Sequence, residues 1–239
     1  MYSAGTKTLS KSKPLLIAPC EAKAASFATH KWHYSGTVPV GKQVKFGVWE
    51  HGIFVGVVCF GMGASPTLHR QFNIGRREVA ELTRVALSKH STPVSRIVRI
   101  SLQLLRAENP GLRIIVSFAD PKQGHIGGIY QAGGWTYLGE TNPKINYLLN
   151  GKYYHSRSLS GRNFGGRAPS KGLLGKAKKV HEPGKHRYAI ALNKTDKKML
   201  ATMHLPYPKR TKPSSEAAGS QPEKDGAIPI RALHSPVDP

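Results

Sequence analysis

The chain has 239 residues, enough for one sizeable core with extensions or for two small domains. It carries 36 Lys and Arg against 13 Asp and Glu, a formal net charge of +23. A polyanion is the usual relief for such self-repulsion, and nucleic acid is the favoured partner, ahead of an anionic membrane surface or charge that serves solubility alone. Cys20 and Cys59 are the only cysteines, which excludes a disulfide framework or a Cys-rich zinc site. The scarcity of acids weakens a two-metal nuclease.

The positive excess is uneven. Residues 1–150 hold 18 Lys and Arg with 7 acids, residues 151–212 hold 16 with 2, and residues 213–239 hold 2 with 4. Residues 1–158 therefore read as a folded core and 159–212 as a basic, nucleic-acid-contacting extension packed on or beside it. Residues 213–239, rich in Pro, Ser, Gly and Ala, read as a disordered tail. Within the extension, the Gly- and Lys-rich residues 159–185 read as a long basic loop that orders on a polyanion.

In chain order, the apolar run 14–18 is too short for a signal segment or a membrane span. The protein is expected to stay in the compartment where it is made, with no membrane partner. Residues 21–33, rich in Ala and Lys and free of Gly and Pro, read as a helix. The apolar runs 43–50 and 53–62 flank His51-Gly52, a hairpin signal. Residues 78–87 suit helix or strand on propensity alone. Pro93 opens a helix over 94–108, where Val94, Ile97, Val98, Ser101, Leu102 and Leu105 recur at three- and four-residue spacing; Asn109-Pro110-Gly111 ends it. Residues 112–118 are nearly all apolar and read as a buried strand with a parallel neighbour. Residues 125–132 read as a short helix stopped by Gly133-Gly134. Residues 145–149 and 153–157 flank Asn150-Gly151-Lys152, a second hairpin signal.

This order predicts an α/β fold with a mixed central sheet flanked by helices and a basic C-terminal extension. The layout resembles the GNAT acyltransferase fold, in which a strand and the start of the following helix cradle a cofactor pyrophosphate. By that analogy residues 78–88 form the central strand and residues 88–96 the donor loop. Arg84, Ser91, Ser95, Arg96 and Ser117 then fall to cofactor binding. The loop offers N–H groups and cations but lacks the glycines of the usual acyl-CoA pattern.

Three strings concentrate reactive side chains. His33-Tyr34 closes the first helix against Gly36, where it can face a ligand or simply cap the helix. Asp120 follows the buried strand, where open α/β sheets place ligands; it can act as a base, ligate a metal or start a turn. Tyr130 lies ten residues on, as a proton donor, a ligand or a core residue. Together these four are an N/O donor set suited to iron, zinc or manganese. A second tier mixes cations with aromatics for phosphate contact and base stacking: Arg76, Arg77, Arg157, Lys185, Arg187, Lys209 and Arg210, beside Tyr153-Tyr154, Tyr188 and Tyr207. Trp32, Trp135 and Tyr137 are further stacking candidates, with buried packing the commoner fate of the two tryptophans.

Several of these strings resemble the phage Mom family. They are His33-Tyr34-Ser35-Gly36, Glu81-Leu82-Thr83-Arg84, the 117–124 run, Ile129-Tyr130-Gln131-Ala132 with Trp135-x-Tyr137-x-Gly139, Gly184-Lys185-His186-Arg187-Tyr188 and Tyr207-Pro208-Lys209-Arg210. The resemblance spans about residues 25–212. It implies a GNAT-like transferase that carbamoylmethylates N6 of adenine in double-stranded DNA and so protects phage DNA from host restriction, in the cytoplasm of an infected bacterium. It also implies activity associated with iron, and functional roles for His33, Tyr34, Asp120 and Tyr130, as catalytic groups and as metal ligands. The donor stays open between an acetyl-CoA-like and a glycine-derived compound, and a homodimer is kept as an option. Two alternatives remain: a GNAT acyltransferase acting on another amine or on aminoacyl-tRNA, and a non-enzymatic basic anti-restriction protein that binds DNA.

Overall fold

The computed structural model describes residues 14–39, 41–63, 65–154 and 175–209. These fall into two compact units, one built from residues up to 115 with 191–193, the other from 116–190 with residues from 194 onward. The boundary lies inside a strand, within the stretch that the sequence suggests is a single core.

The first unit contains β1 (Leu15–Pro19), α1 (Ala22–Trp32), β2 (Gln43–Glu50), β3 (Ile53–Gly61), β4 (Val79–Leu87), α2 (Val94–Glu108) and the first residues of β5 (Ile114–Ala119). Its strand order is β1-β2-β3-β4-β5, with β1, β2, β3 and β4 pairing antiparallel in succession. The Arg113 N–H donates to the Glu78 carbonyl at 2.8 Å, at the entrance to both β5 and β4. Those two strands therefore run the same way, and α2 supplies the crossover that parallel neighbours require. The mixed sheet expected from the element order is present.

Local signals explain these elements. His51 and Gly52 both take positive φ, 50° and 82°, the geometry of a two-residue hairpin turn that matches strand twist. The β3 residues from Val55 to Phe60 are all buried, so the strand reads as an unbroken apolar run rather than an alternation. Gly56 sits at φ +144°, where a Cβ would lie 2.1 Å from the Ala86 carbonyl oxygen; only glycine lets β3 approach β4 there. Ala25 and Ala28 of α1 pack with Val57, Cys59 and Ala86, and Cys20, Trp32 and Phe54 close over this cluster. Small helix residues allow that close approach. On α2, Ile97, Val98, Ser101, Leu102 and Leu105 are buried, the stripe that the spacing predicts.

The second unit contains the rest of β5, α3 (Gly128–Ala132), β6 (Thr136–Glu140), β7 (Lys144–Leu149), β8 (Lys152–Tyr154), β9 (Lys178–Glu182), β10 (His186–Ala191) and α4 (Lys194–Thr202). Strands β5, β10 and β6 are neighbours in that order, and β8-β7-β9 form a separate three-stranded sheet. Asn150 and Gly151, at φ 49° and 72°, make the second tight hairpin.

Two expectations are corrected. Residues 178–182, assigned from sequence to a basic loop, form β9, and residues 186–191 of the basic extension form β10. The helix expected over 125–132 is confined to Gly128–Ala132 and follows a 3-10 turn, Pro121–Gln123, because Gly124 and Gly127 take positive φ between them. The strand expected over 153–157 is described only as Lys152–Tyr154; the remainder of that expectation, with most of the basic loop and the 213–239 tail, lies outside the described residues. Among the described residues, no helix is long and apolar enough to cross a membrane.

Candidate functional site

Each unit carries one half of the expected constellation. In the first unit, His33 is the C-terminal cap of α1 and its N–H donates to the Thr29 carbonyl. The Ser35 N–H donates to His33 Nδ1 at 3.1 Å, and the Ser35 hydroxyl lies 2.8 Å from the same nitrogen. A backbone N–H can only donate, so Nδ1 presents its lone pair and a neutral His33 carries its proton on Nε2. The ring of Tyr34 lies 4.3 Å from that of His33 at 31°, and Tyr34 is 50% exposed.

Arg84 fixes this turn to β4. Its Nε and Nη2 both donate to the Thr37 carbonyl at 3.1 Å, and its Nη1 donates to the Thr83 carbonyl at 2.7 Å. Arg84, assigned from sequence to the donor cofactor, acts here as a positioning residue for the turn 33–37.

Part of the expected donor loop is engaged by an internal carboxylate. The Glu50 carboxylate accepts from the Ser91 N–H at 2.7 Å, the Ser91 hydroxyl at 2.8 Å and the Thr92 N–H at 2.7 Å. These donors, the Thr92 and Ser91 hydrogen bonds foremost, hold the Glu50 carboxyl down at about 2. Ser91 therefore serves an internal carboxylate rather than an open phosphate cradle. Ser95 is half-buried and Arg96 exposed on the first turn of α2. Glu50 carries no motif in the sequence; a lone acid at a hairpin turn gives no sign of a partner 41 residues away.

In the second unit, β5 delivers Ser117 and Asp120. Ser117 is buried, and its hydroxyl donates to the Tyr130 hydroxyl at 2.8 Å. Asp120 caps the 3-10 turn through Oδ1, which accepts the Lys122 N–H at 3.1 Å, while Oδ2 pairs with Lys185 Nζ at 2.9 Å. Tyr130 is buried with its ring 5.1 Å from both Trp135 and Tyr188. Tyr188 organises the loop: its hydroxyl donates to the Ile126 carbonyl. A Cβ on Gly127, at φ +83°, would lie 2.3 Å from the Tyr188 ring. Tyr207 donates to the Trp135 carbonyl at 2.7 Å, so the 205–209 segment closes over α3.

The expected DNA contacts divide. Arg76, Arg77 and Lys209 are exposed, whereas Lys185 is engaged by Asp120. Arg187 is half-buried, with Nη2 donating to the Leu138 carbonyl at 2.9 Å and Nε buried without a partner; burial pulls its basicity down. Tyr188 and Trp135 are core residues, and Tyr137 is buried beside His186, whose Nδ1 lies 3.1 Å from its hydroxyl. Burial, reinforced by Glu140, pushes the Tyr137 phenol up. Arg157 and Arg210 lie outside the described residues.

The iron implied by the resemblance fits these residues poorly. A His that ligates through Nε2 usually donates from Nδ1, and His33 Nδ1 accepts instead. Asp120 already holds an ammonium, and the Tyr130 hydroxyl is taken by Ser117. Among the described residues, no three of His, Cys, Asp and Glu are grouped so as to hold a metal ion.

The described residues thus define an α/β protein with a mixed sheet, a His-Tyr pair at a helix end and an Asp-Lys pair at a strand end. The chain belongs to the Mom protein family, whose profile matches residues 14–209. It is 28% identical over 209 residues to the protein named Methylcarbamoylase mom of Escherichia phage Mu, covering 83% of this chain and 85% of that protein. Among solved structures it is similar to an acetyltransferase from Thermus thermophilus at 13% identity, TM-score 0.41, covering 77% of this chain and 100% of the other. A probable GNAT-family acetyltransferase from Chromobacterium violaceum gives 9% and 0.42, covering 80% of this chain and 90% of the other. The likeness to these structures is too distant to carry over the role of any residue.

Proposed function

We propose that this protein is a transferase that adds a carbamoylmethyl group to N6 of adenine in duplex DNA, inside an infected bacterium, and so shields phage DNA from restriction. The observation that carries the reading is family membership across most of the chain, with a relative named as a methylcarbamoylase. The net charge of +23 supports a polyanionic substrate.

The chemistry sets the requirements. The N6 lone pair is delocalised into the purine ring, so the amine is a poor nucleophile while stacked and paired. Extruding the base costs a few kcal/mol, offset by phosphate and stacking contacts. A new N6–C bond then forms to a donor carbon as its leaving group departs, and one N6 proton passes to a base. Asp120 is the carboxylate proposed to receive it, oriented by its ion pair with Lys185. Tyr130, bonded to Ser117, is proposed to donate a hydrogen bond where negative charge develops. His33 and Tyr34 are proposed to contact substrate from the turn that Arg84 fixes. The donor is proposed to be an activated two-carbon amide or its precursor, of acetyl-CoA or glycine origin.

Mass spectrometry of nucleosides from DNA of cells expressing this chain tests the reading. A carbamoylmethyl-deoxyadenosine is expected, lost in Asp120→Ala and Tyr130→Phe while binding to duplex DNA persists. Unmodified DNA from cells producing folded protein would overturn it, leaving an acyltransferase of another amine or of aminoacyl-tRNA, or a non-enzymatic DNA-binding protein.

A further inference from the structure

One face of the three-stranded sheet carries residues that no role above absorbs. Directly opposed residues of antiparallel strands project to the same face. Tyr147 of β7 lies opposite Tyr154 of β8 on one side and Lys179 of β9 on the other. Tyr154, Tyr147 and Lys179 therefore form one row across the sheet. Two residues along β7, Ile145 lies opposite His181, on the same face by the two-residue period of a strand.

This face is turned to solvent. Lys179 and His181 are exposed, Ile145 is 39% exposed, and Tyr147 and Tyr154 are half-buried. The other face is turned inward, since Asn146 is fully buried and Val180, opposite it, is half-buried. Among the described residues the solvent face holds no carboxylate. Glu182 falls on the inward side and pairs with Lys122 at 2.9 Å. Lys176, just ahead of β9, is also exposed.

Two neighbouring phenol rings bordered by cations suit a ligand with flat aromatic groups strung on an anionic backbone. We propose that this face docks an unpaired DNA strand, with bases stacking on Tyr147 and Tyr154 and phosphates lying against Lys179 and His181. A duplex keeps its base faces covered, so the platform selects DNA that has been locally opened. The inference rests on the DNA-modifying reading, because base extrusion opens a strand in this way.

The test uses the full chain and two labelled probes of equal length, oligothymidylate and an abasic oligomer with the same phosphodiester backbone. Tyr147→Leu is expected to weaken oligothymidylate binding roughly 5- to 150-fold, the loss of one stacked base, and to leave the abasic oligomer unaffected. Tyr147→Phe keeps the ring and is expected to bind as wild type. Lys179→Ala is expected to weaken both probes and to flatten the log–log salt dependence by about 0.7. Wild-type binding by Tyr147→Leu would overturn the proposal, as would equal weakening of both probes or equally strong competition by poly-glutamate. Nucleoside mass spectrometry separates the two readings. Missing modified adenine with the probe pattern intact counts against the enzyme alone, and modification with an unaltered Tyr147→Leu profile counts against the platform alone.

Discussion

At the scale of single residues, substitution can separate the turn cap that Asp120 makes from the chemical role proposed for it. Its pair with Lys185 is partly exposed, and such pairs contribute about 0–1 kcal/mol; the turn cap adds about 1 kcal/mol. Asp120→Asn keeps the acceptor oxygen for the cap and removes the charge. Its melting temperature is expected to stay within a few degrees of wild type, while DNA modification falls by at least roughly 100-fold, the scale of a lost general base. A collapse of the melting transition would instead make Asp120 a structural residue. The two cysteines give a contrasting case. Burial pushes the Cys20 thiol up to about 11 and the Cys59 thiol up to about 12, and the thiolate is the reactive form. Native protein at pH 8 is therefore expected to react with iodoacetamide at least roughly 100-fold more slowly than unfolded protein, a factor of ten for each unit of raised pKa. Labelling of Cys20 or Cys59 at the unfolded rate would contradict the packing of Ala25, Ala28 and Val57 around them.

At the scale of elements, Glu50 ties the end of β2 to the loop that leads into α2. Its folded value of about 2 lies below its ordinary 4.5, so the carboxylate contributes stability that is present above pH 4.5 and lost as pH falls through about 2. Glu50→Gln is expected to melt at a lower temperature than wild type at neutral pH, because its amide cannot accept as many hydrogen bonds. The difference between the two proteins should close as pH is lowered from 4.5 toward 2; a pH-independent difference would rule out the charge as its source. Elements with strong local signals were legible in the sequence, including α2 with its proline start and both hairpins with their positive-φ turn pairs. Strand β10 was not, because His186-Arg187-Tyr188 reads as surface chemistry until β6 lies beside it and buries Tyr188. The short strands β1 and β6 lack a period long enough to identify them, and α4 has a single buried apolar residue, Leu200. The site divides in the same way. Asp120 could be found because it ends an apolar run, whereas its partner Lys185 and the Glu50–Ser91 contact join residues 65 and 41 positions apart.

At the scale of the whole molecule, charge separates two tasks that the individual residues blur. Lys185 and Arg187, both read from sequence as phosphate contacts, are engaged by Asp120 and by the Leu138 carbonyl, so the proposed electrostatic footprint on DNA falls to other cations. The sequence places Arg157, Arg162, Arg167 and Lys171 in one short stretch free of acids. Each cation that neutralises a phosphate releases condensed counterions, and log K falls against log salt with a slope of about −0.9 per contact on duplex DNA. Replacing those four residues with Gln is expected to weaken duplex binding and to reduce the slope by up to about 3.6, as measured by titrating a labelled duplex between 50 and 200 mM salt. Lys185→Gln, by contrast, is expected to leave the slope nearly unchanged while lowering modification, because it removes the partner of Asp120 rather than a phosphate contact. If the slope responds to Lys185 and not to the basic stretch, the division between a lysine that positions Asp120 and a DNA-gripping segment fails, and Lys185 returns to the phosphate contacts that the sequence suggests.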